Sequence, residues 1–258
     1  MGLKEIFNIS RGTKAILAIS ASVSFIAVLF AFFYYRSINR SEDPRIRAAR
    51  ELLSEYENIS GRVHTSGAFA LLDSALTIFN SLPDYRSSFE KGVIYNNKCS
   101  SLLLTAIYDS TISEAEKNIL LGLSMEFCDS SILLYKRWLR EWETLSPEEI
   151  AYRLTPFMKE EDPDFKGLNF TSVFSRRVKN ITIAQVETPR RLSVSYTNKA
   201  TIFRHIMEPD SSITYYRMAL DLWKDNRTAK SNMSVLMGGK PLKPKLIESL
   251  FPPDKNVK

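Results

Sequence analysis

Residues 194–203 run V-S-Y-T-N-K-A-T-I-F, and residues 93–102 run V-I-Y-N-N-K-C-S-S-L. A second phrase follows each: D-S-S-I-L-L-Y-K-R-W-L-R-E-W from Asp129 and D-S-S-I-T-Y-Y-R-M-A-L-D-L-W from Asp210. Internal self-similarity of this kind marks a repeat architecture, in which no unit buries its apolar face alone and neighbours must stack. The fold class that follows is all-α. Alternating apolar and polar runs are nearly absent, and glycine is scarce at 9 of 258 residues. The one strand-like stretch, R-L-S-V-S-Y, overlaps the helical phrase and is expected to be helix.

The spacing is specific. Tyr196, Asn198, Ala200 and Phe203 are followed by Ser212, Tyr216 and Ala219. An aromatic early in one helix, a small residue mid-helix and a further aromatic are thus succeeded by small-aromatic-small along the next. This pattern resembles the tetratricopeptide repeat, a pair of antiparallel helices. Asn198 and Asn232 stand 34 positions apart, that family's period. Ala68, Leu72, Ala75 and Phe79 take the places of Ser212, Tyr216, Ala219 and Trp223. The resemblance covers roughly half the chain and implies stacked helical hairpins, an α-solenoid. The middle departs from it: 9 residues separate Ala200 from Asp210, but 29 separate Cys99 from Asp129. The first copy therefore carries longer helices or an extra one, an insertion at about 103–128.

Ahead of the repeats, Ala15 to Tyr35 carries no charge. A hydrocarbon core about 30 Å thick needs ~20 such residues, so this segment is expected to be a transmembrane helix. Its bulky end, F-A-F-F-Y-Y, argues against a cleaved signal peptide, which ends in small residues. The expected organisation is a basic tail over 1–14, the membrane helix over 15–35 and a linker over 36–43. A helical domain follows over 44–239 with a loop at about 156–167, then a Pro/Lys-rich tail or capping helix over 240–258. Orientation rests on flanking charge. A raw Lys/Arg count slightly favours a cytoplasmic domain, whereas a short basic tail before a first apolar helix commonly stays inside. The expectation is a domain outside the cytoplasm, periplasmic or lumenal. Cys99 takes the small mid-helix place of Ala200, so a buried free thiol is expected there, with a Cys99–Cys128 pair left open.

Ser146-Pro147-Glu148-Glu149 is a capping box with proline at the first helical position, and Pro156 stops the helix it starts. Thr188-Pro189 is expected to lead into the second copy.

Catalytic and metal chemistry finds little footing. His64 and His205 have no second ligand at metal spacing, and phosphate-loop, dinucleotide-binding and nucleophile-elbow motifs are absent. The expectation is no enzyme, no catalytic residue, no metal and no cofactor. The net charge of +6 raises nucleic acid as a partner, but the basic spots are short and lack interleaved aromatics. Solvated helix faces explain them better. Protein partners and the bilayer, through residues 15–35, are the expected contacts.

Y-N-N-K-C and Y-T-N-K-A resemble the Y-x-N-[RK]-[AG] segment of chaperone-binding tetratricopeptide domains. The resemblance makes Asn97, Asn198 and Asn232 candidate contacts for an extended peptide in a groove, with Lys98, Lys199 and Arg204 as charged neighbours. An amide suits that task because it both donates and accepts. The competing reading is that asparagine in this slot orders helix packing. The functional expectation is a membrane-anchored scaffold that binds proteins and supports assembly of a membrane or envelope complex. Its alternative is an integral structural subunit of a larger machine such as a motor, secretion or division apparatus.

Overall fold

The computed structural model describes residues 11–60 and 66–243 and is all-helical, with nine α-helices and no strand among those residues. In chain order these are α1 (Arg11–Arg40), α2 (Arg47–Ser60), α3 (Ser66–Ser81), α4 (Phe89–Tyr108) and α5 (Glu114–Trp142). They continue with α6 (Pro147–Leu154), α7 (Phe170–His205), α8 (Pro209–Leu222) and α9 (Arg227–Leu236).

Local signals set the boundaries. Ser113 and Glu116 form a capping box at the start of α5, and Ser146 and Glu149 form one at α6 with Pro147 at the first position. Asn169 and Asn226 cap α7 and α9 by accepting from Ser172 N and Ala229 N. Gly238, at φ 82°, follows α9 in the left-handed conformation that suits glycine after a helix.

Three antiparallel hairpins, α2–α3, α4–α5 and α7–α8, carry most of the helix-on-helix packing. Serine hydroxyls fix the register of two of them. Ser124 Oγ donates to Cys99 O at 2.8 Å and Ser131 Oγ to Gly92 O at 2.9 Å across α4–α5. Ser212 Oγ donates to Ala200 O at 2.8 Å and Ser193 Oγ to Ala219 O at 2.7 Å across α7–α8. Such bonds need small side chains, because the hydroxyl must reach the opposite backbone. Gly92 shows the limit: a Cβ there would overlap the Tyr135 ring.

This register corrects two expectations. Cys99 and Cys128 are joined by a disulfide, and no free cysteine remains, so the buried free thiol is overturned. The cause is that Cys128 faces Cys99 across the hairpin, with Cα atoms 5.2 Å apart. The D-S-S-I phrases are not equivalent in space. The residues that stand where Ser212, Tyr216 and Ala219 stand are Ser124, Cys128 and Ser131, seven positions earlier than the matching phrase. Seven residues are two helical turns, so the shift preserves the buried face. Of the two alternatives for the extra length at about 103–128, longer helices or an extra one, the structure shows longer helices: α4 runs on to Tyr108 and α5 starts at Glu114, extending the hairpin.

Two boundaries also differ. Pro189 lies inside α7, which runs unbroken to His205. Proline there leaves the Gln185 carbonyl without its helical donor, a cost that the packed flanks of α7 outweigh. The expected linker over 36–43 is largely helical, since α1 extends to Arg40, and Asp43 is buried. Ile16 to Phe30 of α1 are exposed. Among the described residues no helix is long and apolar enough to cross a membrane. The expected span over 15–35 lies partly outside the described side chains, and His64 and the tail beyond 243 lie outside the described residues.

The first hairpin has its own core of Ile46, Ala49, Tyr56, Ala68, Leu72, Ala75, Phe79 and Tyr85, completed by Ile94 from α4. A second core joins Ile132 and Tyr135 of α5 to Tyr196 and Ala200 of α7 and Tyr216 of α8. Ile202 of α7 packs beside the disulfide with Leu103 and Leu121.

A buried ionic clasp binds the segment after α1 to the body. Arg45 bonds Asp43 and Asp84, each at 2.8 Å, and reaches the carbonyl of Phe157 at 3.2 Å. Tyr85 OH donates to Asp43, and Arg177 stacks 3.9 Å from the Tyr85 ring centre while pairing with Glu90 at 3.1 Å. Burial pushes the Asp84 carboxyl up, opposed by Arg45 and Arg177.

Two outcomes are expected from this packing. Reducing the Cys99–Cys128 bond should cost about 3 kcal/mol of stability, given the 29-residue separation it closes, measured as denaturant midpoints with and without reductant. Gly92→Ala should cost about 1–3 kcal/mol by forcing Tyr135 out of its place, measured by the same titration.

Candidate functional site

Helices α2, α4, α7 and α9 are tied to one another in sequence by polar bonds between neighbours. Tyr56 OH of α2 donates to Asn97 O of α4 at 3.3 Å. Asn198 Nδ2 of α7 donates to Asn96 Oδ1 of α4 at 3.1 Å, and Asn232 Nδ2 of α9 donates to Thr201 Oγ1 of α7 at 3.4 Å. Asn96 also accepts from Ser195 Oγ at 2.9 Å. The amides of Asn198 and Asn232 therefore hold helix to helix, as the packing reading expects.

The lysines are engaged in a second set of bonds. Lys98 of α4 pairs with Asp73 of α3, and Lys199 of α7 pairs with Asp129 of α5. Each lysine reaches the second helix of the preceding hairpin. The correspondence is positional: Asp73 and Asp129 are 56 residues apart, as are Ala68 and Ser124, Leu72 and Cys128, and Ala75 and Ser131. Lys98 and Lys199 are 101 apart, as are Cys99 and Ala200. The same ion pair thus recurs between successive hairpins, in the same slots.

Aromatic faces support both lysines. Lys98 Nζ lies 5.5 Å from the Phe69 ring centre and 5.3 Å from that of Phe127, and only 5% of the residue is exposed. Lys199 Nζ lies 4.7 Å from Tyr215 and 5.8 Å from Phe203. Rings present negative faces to the ammonium and compensate for lost water. Burial by itself would lower the Lys199 pKa; bonds to Asp129 and Tyr215 outweigh it and raise the group above its ordinary 10.5.

Of the six expected groove residues, Asn97 and Arg204 remain. Both are half-buried, and neither side chain makes a hydrogen bond or ion pair within the described residues. They are not neighbours in the chain: Asn97 lies mid-α4 beside α2, whereas Arg204 lies in the last turn of α7. His205, the last residue of α7, is pushed down by burial and by Arg204 and Lys117.

Sequence reasoning missed Asn96, Asp73 and Asp129. The two aspartates had a signal, their shared position one residue after Leu72 and Cys128, which the matching D-S-S-I phrases concealed. The clasp of Asp43, Arg45, Asp84, Glu90 and Arg177 had none, because its members come from distant segments. Among the described residues there is no group of three or more His, Cys, Asp or Glu that could hold a metal ion.

Compared with known proteins, the chain matches no family model, no curated protein and no solved structure.

The raised Lys199 pKa has a pH consequence. A lysine whose folded pKa exceeds its unfolded value contributes stability fully below the unfolded value and loses it as pH rises through the folded one. The stability gap between wild type and Lys199→Met should therefore be constant from neutral pH to about 10 and close above that, at under about 1 kcal/mol because Asp129 is half-exposed. Denaturant midpoints across the alkaline range measure it.

Proposed function

We propose that this protein is a membrane-anchored interaction scaffold: a tetratricopeptide-like stack of helical hairpins, an α-solenoid, carried on α1 as a single-pass anchor. It binds protein partners and supports assembly of a membrane or envelope complex. The observation that carries this reading is the recurring Lys–Asp bridge between successive hairpins. A contact repeated in equivalent slots is what a stack of like units requires, since each unit must meet its neighbour in the same way. Such stacks present extended surfaces to other proteins.

Two further observations support the placement. The described side chains of α1 between Ile16 and Phe30 are exposed, as those of a lipid-facing helix would be. The Cys99–Cys128 disulfide favours an oxidising compartment, hence a periplasmic or lumenal domain.

The partner face on this reading is the row α2, α4, α7 and α9, with Asn97 and Arg204 as the polar groups available to a peptide. A second reading, a fixed subunit of a larger membrane machine, is favoured by the internal use of Asn198, Asn232, Lys98 and Lys199, which leaves less chemistry for a released peptide. Chemical crosslinking of the full-length protein in its membrane separates the two. Replacing Asn97 and Arg204 together by alanine should cut recovered partner by about fivefold or more, the effect of losing contacts worth about 1 kcal/mol, with stability unchanged. Undiminished capture by a stable double variant would remove the groove from the proposal and leave the fixed-subunit reading.

A further inference from the structure

Among the described residues, the buried side-chain oxygens and nitrogens that make no hydrogen bond to another residue do not scatter through the core. They are Asp84 Oδ1, Ser88 Oγ, Glu90 Oε2, Arg177 Nε, Thr188 Oγ1 and Arg191 Nη1. Half come from the turn before α4 and its first turn, and half from α7. Arg177, Thr188 and Arg191 share one face of α7, since separations of 11 and 14 residues are close to whole numbers of helical turns. Glu90 Oε1 accepts from Arg177 Nη1 at 3.1 Å, which puts the free Oε2 and Nε beside that bond. Arg177 lies over the ring of Tyr85, next in the chain to Asp84. The Arg191 guanidinium lies 4.7 Å from the ring centre of Phe89, which stands between Ser88 and Glu90 in the chain. Thr188 is one turn before Arg191, in the direction toward which helical side chains lean. The Tyr135 hydroxyl feels the same groups: burial pushes it up, Arg191 draws it down and Glu90 pushes it up. Buried polar groups are nearly always bonded, so six left over at one junction need a common partner.

We propose that this junction between the start of α4 and α7 is an internal water-binding site. Charge argues against an ion. Arg45, Arg177 and Arg191 are balanced by Asp43, Asp84 and Glu90, so the junction has no net charge to neutralise. A cation would face the free Nε of Arg177, and an anion would face the free oxygens of Asp84 and Glu90. The occupant must donate to the carboxylates and accept from the guanidinium groups, while the hydroxyls of Ser88 and Thr188 take either role. Water does both in the smallest volume. At about three bonds for each molecule, the six groups need about two waters. Water held there also keeps the clasp hydrated inside the fold, so its charges are buried without full desolvation. This inference is independent of the anchor and of the peptide groove.

Crystals of the full-length protein, grown from detergent micelles with bromide in place of chloride, test it directly. Ordered solvent density should lie within hydrogen-bond distance of Glu90 Oε2 and Arg177 Nε, with no anomalous signal from bromide. Thermal unfolding of Thr188→Val in the same micelles gives an independent reading. Thr188 is 0% exposed, and valine keeps its shape and helix propensity while removing the hydroxyl. Where that hydroxyl holds water, the variant should melt about 2–4 °C lower, the shift expected for one lost buried hydrogen bond in a chain of this size. A hydroxyl buried dry gives the opposite sign, because its removal relieves an unmet polar group. The proposal is overturned if Glu90 Oε2 and Arg177 Nε meet only protein atoms in the crystal, or if bromide or an organic molecule occupies the junction. It is overturned equally if Thr188→Val melts at the wild-type temperature or above it.

Discussion

Everything in this fold depends on how closely paired helices can approach. Across α4–α5 and α7–α8 the facing positions are glycine, cysteine, serine and alanine, and hydroxyls of one helix bond to carbonyls of the other. A hydroxyl on a one-carbon stem reaches an opposing backbone only when the axes are near, so these bonds are also gauges of distance. The disulfide works under the same constraint and in the same seam. Larger residues, Tyr135, Tyr196 and Tyr216, are buried around these contacts and close the core. Small residues thus set the register, and the aromatics fill the space that the register defines.

Charge works at two depths. The Lys–Asp bridges between hairpins have one buried partner and one half-exposed partner, so solvent screens part of each interaction and the rings carry part of the desolvation cost. The clasp at Asp43, Arg45, Asp84, Glu90 and Arg177 is buried throughout, and in it Asp84 Oδ1, Glu90 Oε2 and Arg177 Nε make no hydrogen bond. A buried network of this kind adds little net stability but penalises every wrong arrangement, because a misplaced member leaves a charge unpaired. It joins the segment after α1 to the turn before α4, to the loop before α7 and to α7 itself. The junction between α1 and the domain is therefore defined by chemistry rather than by chain length.

Much of this was legible in the sequence. The all-helical class and the capping box at Ser146 were written in local composition, where residue type decides structure. The placement of Asn97, Asn198 and Asn232 on equivalent helices was legible too, but their role was not. An amide that binds a peptide and an amide that bonds the next helix are the same residue in the same slot, and only the neighbour distinguishes them. The displaced D-S-S-I phrase failed for a geometric reason: a shift of two turns returns a helix to the same face, so apolar periodicity cannot detect it. Pro189 failed because local strain was outweighed by long-range packing. The disulfide was open because facing depends on that same hidden register.

The equivalent slots also show where the internal pattern stops. The place held by Asp73 and Asp129 falls, in α8, on Arg217, and the place held by Lys98 and Lys199 falls, 34 residues on, at Met233 of α9. Neither residue can continue the bridge, so α9 is joined to the body by other means: Asn226 Nδ2 bonds Ser193 Oγ at 2.8 Å and Thr197 Oγ1 at 2.9 Å, and Asn232 bonds Thr201. A charged link between hairpins is replaced by an uncharged one at the last helix. Ion pairs at equivalent slots would offer the same chemistry to any further unit bearing a lysine, whereas a buried asparagine fitted to two particular hydroxyls accepts only its own neighbour. The change of chemistry at α9 marks the point where the repeated contact gives way to a unique one, and it does so by geometry that a further like unit could not reproduce.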